Sequence, residues 1–228
     1  AISLMEAQGI KLLDEQIKFM HYLEGKGKLN RTIEYLPDDT VLGEMQATQK
    51  TLTRPELAVL MAYAKIYYYE EILESSLLDD FALEEELMDY FPKPLHLNYR
   101  ESIITHPLKH EIIATIITND LVNRLGSSYA YDVADKIGCQ IDNVFKAYLI
   151  VCKAFDLHIL WQQIESLDDR ISPANQMKVM MDILAIVRRI IPWLLRHYHV
   201  NEGILGTSNA LKLGSETFLE KLDECLDD

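Results

Sequence analysis

The chain has 228 residues, 49% of them hydrophobic and 25% charged, which is ample for one large packed domain or two small ones and too apolar for a disordered tail. Its 22 Lys and Arg against 36 Asp and Glu give a formal charge of -14, which repels phosphate backbones and anionic lipid and argues against nucleic acid and membrane-surface binding. Only 9 Gly and 7 Pro break the chain, so long helices are favoured over a many-turned sandwich or barrel.

The first predicted element runs from Leu4 to about Glu24, where Leu4, Ile10, Leu13, Ile17, Met20 and Leu23 fall near helical period and Gly25-Lys26-Gly27 ends the run. Leu29 to Thr51 holds Pro37, Asp38 and Asp39, the signature of a turn and a short helix. Thr53-Arg54-Pro55-Glu56 then sets a capping hydroxyl three residues before a glutamate, with Pro in the first turn where its missing N–H costs nothing. The helix it opens should reach about Glu74. Leu57, Leu60, Met61, Ala64 and Tyr68 mark one apolar face and Val59, Tyr63, Ile66 and Leu73 another, the pattern of a centrally buried helix.

Asp79 to Asp89 reads as a short helix with one wet face, stopped at Phe91-Pro92. A short helix near Leu97 to Ile104 precedes Pro107, after which Leu108, Ile112, Ile113, Ile116, Ile117, Leu121 and Leu125 keep helical spacing up to Gly126. Ser128 to Ile137 should form a further helix ending at Gly138, and Asp142 can cap the next, which carries Val144, Phe145, Tyr148, Leu149 and Cys152. Leu157, Leu160, Trp161, Ile164 and Leu167 belong to another. Ser172-Pro173 opens the last long helix, which reaches about His199 with a kink expected at Pro192. The expected fold is therefore all-α, a multi-helix bundle with long buried helices. Residues 1–200 are expected to form one helical domain, and residues 201–228 a tail or a truncated further helical element.

Several features bear on location and chemistry. Ala1-Ile2-Ser3-Leu4 has no initiator Met and no signal-peptide pattern, as expected of a piece of a longer chain. The apolar stretch Ile183 to Leu195 is interrupted by Arg188 and Arg189 and is shorter than the roughly 20 residues that span a bilayer. Cys139, Cys152 and Cys225 are odd in number and lack C-x-x-C spacing, which fits a reducing cytoplasm better than a disulfide scaffold. Gly25-x-Gly27 has Asn30 where a dinucleotide fingerprint needs its third Gly, and it sits at a helix end, so no cofactor is expected to bind here.

Two sets of polar residues remain. His106 and His110, spaced i, i+4 beside Glu111, would face one metal ion if both stood on a helix, but a third ligand is not evident and a solvated helix start is the plainer reading. His197 and His199 read as a solvated helix end. Asn119, Asn123 and Arg124 lie in an otherwise apolar helix, and Lys65 stands among Tyr63, Tyr67, Tyr68 and Tyr69. These four are the candidate cluster, for an effector such as an amino acid or a nucleotide or, as most buried polar groups are satisfied by protein, for interhelix bonding.

The run Thr53 to Ile66, with Leu12-Leu13-Asp14-Glu15, Leu36-Pro37, Tyr90-Phe91-Pro92, Glu111-Ile112-Ile113-Ala114-Thr115, Leu121-Val122-Asn123-Arg124, Phe155-Asp156-Leu157, Ile164-Glu165-Ser166-Leu167-Asp168 and Trp193-Leu194-Leu195-Arg196, resembles the helical region that follows the catalytic domain of the long-chain NAD-specific glutamate dehydrogenases of bacteria. The landmarks hold their order from about Ala1 to Arg196, and nothing from Tyr198 onward matches. The resemblance implies a parent enzyme that converts L-glutamate into 2-oxoglutarate and ammonia with NAD. It also implies that the catalytic lysine and aspartate and the dinucleotide-binding glycines lie upstream of this segment, so no catalytic, cofactor or metal residue is carried over to it. Residues 1–200 are then expected to be the helical domain that follows the catalytic domain of this parent enzyme. The expected partners are the catalytic domain of the same parent chain and further copies in a homo-oligomer, and the expected role is assembly or regulation.

Overall fold

The structure is a computed structural model that describes residues 1–168, 170–197 and 203–226. Among the described residues there is no β-strand, and the all-α expectation holds. The chain packs as two compact units, residues 1–145 and 146–228.

In the first unit, α1 (Ile2–Gln8) and α2 (Leu13–Gly25) are separated by a single 3₁₀ turn, Gly9–Leu12. The sequence pattern predicts one helix here. Gly9 breaks it by taking φ 59, a left-handed value that ends α1, after which the apolar spacing resumes in register. Asp38 caps α3 (Asp39–Ala47) by accepting from the Val41 N–H at 2.9 Å. The Thr53–Glu56 capping box opens α4 (Arg54–Leu73) as predicted, with the Thr53 N–H donating to Glu56 at 2.6 Å. The acidic stretch that follows is two 3₁₀ turns and then α5 (Glu84–Tyr90). Next come α6 (Lys93–Ile104), α7 (Lys109–Leu125) and α8 (Tyr129–Ile137), and α9 (Ile141–Ala154) begins the exit from this unit.

The heart of the first unit is α4 against α7. Leu57, Leu60, Ala64, Tyr67, Tyr68 and Ile72 are buried on α4, and Ile113, Ala114, Ile117, Thr118, Leu121, Val122 and Leu125 on α7. The second apolar face of α4 is not buried to match: Ile66 is 55% exposed. Helical periodicity locates two faces but cannot say that only one finds a neighbour. At the end of α7, Gly126 adopts φ 99 and ψ 169, where a side chain is strained, and the Met5 and Leu12 side chains lie against it.

The second unit holds the rest of α9, α10 (Leu157–Glu165), α11 (Pro173–His197) and α12 (Gly203–Leu226). α11 packs on α10, burying Met180, Leu184, Val187, Ile191 and Leu194, while Leu157, Trp161 and Ile164 are buried on α10. Gln176 fastens the two by donating to the Ile164 carbonyl and to Asp168, both at 2.8 Å. The helix continues across Pro192, so the expected kink does not end it. Lys212 of α12 pairs with Asp156 at 3.0 Å, just before α10. Within the segment expected to be a tail or a truncated further helical element, Gly203–Leu226 form a helix of 24 residues whose first turns are buried through Ile204, Thr207 and Ser208.

Candidate functional site

Lys65 lies on α4 beside the buried Ala64 and is half-buried; loss of hydration lowers its ammonium pKa from the ordinary 10.5. Asn119, Asn123 and Arg124 are also half-buried, on α7. The two amides stand on the side of α7 away from the stripe formed by Ile117, Leu121 and Leu125, because an offset of two residues from that stripe is about 200° of helical turn. Arg124 Nε is 4.0 Å from Asp120, its i-4 neighbour. Among the described residues no hydrogen bond or ion pair joins Lys65 to the other three.

His106 and His110 are not stacked on one helix. His106 sits in the turn before α7, where its Nδ1 accepts from the Leu108 N–H at 3.1 Å and its ring meets Phe91. His110 is in the first turn of α7, 3.6 Å from Asp79. The i, i+4 geometry fails because Pro107 and Leu108 form a turn between the two, and α7 begins only at Lys109. His197 contacts the Trp193 ring, and His199 lies outside the described residues.

The densest polar constellation is one that sequence reasoning passed over. Arg31, mostly buried, donates through Nε to Glu24 at 2.8 Å and through Nη1 to Asp39 at 2.8 Å and to the Pro37 carbonyl at 3.1 Å. His21 meets the same Asp39 oxygen at 2.7 Å. The guanidinium beside Glu24 lowers that carboxyl's pKa, and Arg31 followed by His21 holds Asp39 at about 2, from an ordinary 3.8. These contacts clamp the loop between α2 and α3. The available signal was a lone Arg in a stretch bounded by Glu24, Asp38 and Asp39.

A second constellation is aromatic. Tyr22 and Tyr67 share a hydroxyl–hydroxyl bond of 2.8 Å, and Phe19 stacks on Tyr68 with centroids 5.5 Å apart. Burial drives the Tyr67 and Tyr68 phenol pKa values far upward, so both are neutral donors and acceptors rather than acid–base catalysts near neutrality. An open cleft of about 240 Å³ lies where α4 ends and α9 begins, lined by Glu71, Glu74, Ser75, Gln140, Ile141 and Asp142. None of the four candidate residues lines it. Ser75 spends its hydroxyl on the Ile72 carbonyl and the Leu77 N–H, and three carboxylates make the cleft hostile to an anionic effector.

The chain is 36% identical to the NAD-specific glutamate dehydrogenase of Pseudomonas aeruginosa over 196 residues, 86% of this chain and 12% of that protein. To the proteins of the same name from Halomonas elongata and Mycobacterium tuberculosis it is 33% and 29% identical, covering 86% and 84% of this chain and 12% of each relative. The chain therefore spans about 12% of the length of these curated relatives. A family model described as "Glutamate dehydrogenase, C-terminal" matches residues 49–228, extending past His197, where the sequence landmarks stop. With that match over most of its length, added to an all-α architecture, the chain belongs to the family of glutamate dehydrogenase C-terminal regions.

Proposed function

We propose that this chain is a non-catalytic helical region of an NAD-specific glutamate dehydrogenase, serving the assembly or regulation of a cytoplasmic, oligomeric enzyme. The parent enzyme oxidises L-glutamate to 2-oxoglutarate and ammonia with NAD, and its catalytic machinery resides in the rest of the polypeptide. The observation that carries this reading is the continuous similarity over 86% of the chain to 12% of relatives named NAD-specific glutamate dehydrogenases. The described elements add support: their conspicuous polar groups, such as Arg31 and Tyr68, are engaged in holding helices and loops together. Among the described residues no helix is long and apolar enough to cross a membrane, in keeping with the proposed location.

The test compares the parent enzyme with and without this segment, measuring oligomeric state and glutamate-dependent NAD reduction. Loss of assembly identifies a scaffold, and altered effector response with intact assembly identifies regulation. Glutamate-dependent NAD reduction by the 228-residue chain alone would overturn the reading.

A second reading, an effector-binding module, draws on Lys65, whose partial burial makes the ammonium costly to keep charged and hence receptive to an anionic partner. Thermal shifts with glutamate, 2-oxoglutarate, NAD and amino acids test it. A stabilisation abolished by Lys65→Met supports it, and a flat response removes it.

A further inference from the structure

We propose that Lys65 is an acylation site: its amine takes an acyl group from an acyl phosphate, and its setting on α4 selects it over the exposed lysines. The site goes beyond the assembly and effector readings above and depends on neither. Attack on an acyl carbon needs an amine that is unprotonated and that nothing else engages. Among the described residues Lys65 makes no hydrogen bond or ion pair. Lys28, Lys136 and Lys212, by contrast, each hold a carboxylate that occupies the ammonium.

The sequence of α4 creates this difference. The residues that share the Lys65 side of the helix, three, four and seven positions away, are Ala58, Met61, Ala62, Tyr68, Tyr69 and Ile72, and none is charged. The acids of the helix, Glu56, Glu70 and Glu71, stand about 120–180° round from Lys65. Tyr68 and Ile72 are buried and Met61 and Tyr69 half-buried, while Ala62 is exposed and leaves the amine open to solvent. Burial with no carboxylate to offset it lowers the ammonium pKa, so more of the amine is in the attacking form. In the reaction the Nζ lone pair forms a bond to the acyl carbon, the bond from that carbon to the phosphate oxygen breaks, phosphate leaves with the electron pair, and the amine proton passes to water. The product is a neutral amide. A half-buried ammonium is costly to hydrate poorly and the amide is not, so the acylated state suits this position. The donor is an anion, and on a chain of charge -14 it meets least repulsion at a cation whose side of the helix carries no acid.

The test uses the unaltered 228-residue chain. It is incubated with acetyl phosphate, its remaining amines are capped with an isotopically labelled acetyl reagent after denaturation, and the acetyl occupancy of each lysine is followed in time by peptide mass spectrometry. Circular dichroism before and after treatment shows that the folded chain is the species that reacts. The expected rate at Lys65 is about threefold or more above the mean of the exposed Lys11, Lys18, Lys50 and Lys93. In guanidinium chloride, where all of these lysines are solvated alike, the advantage should disappear. A Lys65 rate at or below that of the exposed lysines in the folded chain would overturn the proposal. So would a preference of the same size in the unfolded chain, because the fold of α4 would then have no part in it.

Discussion

The Tyr68 hydroxyl on α4 donates to the carbonyl oxygen of Ser127 at 2.9 Å, and the Tyr68 hydroxyl oxygen in turn accepts from the Tyr131 N–H at 3.2 Å. One buried phenol thus ties the central helix to the turn between α7 and α8 and satisfies two backbone groups there. Tyr68→Phe keeps the ring against Phe19 and Phe145 but strands both partners. The expected cost is about 1–3 kcal/mol, read as a lower urea midpoint with an unchanged m-value.

Gly126 ends α7 at a backbone conformation that a side chain resists. The Met5 and Leu12 atoms near its Cα are at 3.6 Å or more from where a Cβ would sit, so space is adequate and the strain is conformational. Gly126→Ala should destabilise by roughly 1–3 kcal/mol, and Gly126→Asn and Gly126→Val by at least as much, because Gly alone adopts this φ/ψ pair readily and the tolerance of Asn is confined to the left-handed helical region. Thermal melts of the three variants give the order.

The exposure of α4 sets a contrast between neighbouring positions. Leu60→Ala removes a fully buried side chain and should cost about 2–5 kcal/mol, whereas Ile66→Ala on the open face should stay within about 0.5 kcal/mol. Equal losses at the two sites would mean that the second face of α4 is covered in solution.

Asp39 carries the pH dependence of the α2–α3 loop. Its folded pKa of about 2 lies below the ordinary 3.8, so the carboxylate stabilises the fold above the ordinary value, and that contribution is lost as pH falls toward 2. Asp39→Asn should therefore lower the melting temperature at pH 6 and lose its effect near pH 2. A difference from wild type that is constant across this range would show that the Arg31 and His21 contacts do not hold the charge.

The elements that the sequence disclosed are those with local causes. Thr53 and Glu56 cap α4 within four residues, and Gly138 closes α8 within its own turn, so neither depends on distant chain. The break at Gly9 was hidden because Leu4, Leu12 and Leu13 keep an apolar rhythm through the 3₁₀ turn. His106 and His110 misled because spacing implies a face only where the helix is continuous. Asn119 and Asn123 were legible as a pair, but an amphipathic pattern as weak as that of α7 does not reveal which side meets solvent. Arg31 was illegible for a different reason: its partners Glu24 and Asp39 lie seven and eight residues away on either side of a loop, and no periodic rule connects them.

The tyrosine cluster gives the protein a built-in optical reporter. Of 12 tyrosines, Tyr67 and Tyr68 ionise far above the ordinary 10.0, and Tyr63 and Tyr131 are raised as well. Their neutral forms favour the folded state, and that preference erodes once pH climbs past the value at which an unfolded tyrosine ionises. In an alkaline titration followed by ultraviolet absorbance, the exposed phenols should change first and reversibly. The buried pair should remain silent until the helices part, so the last phenolate signal marks the opening of the α4 core itself.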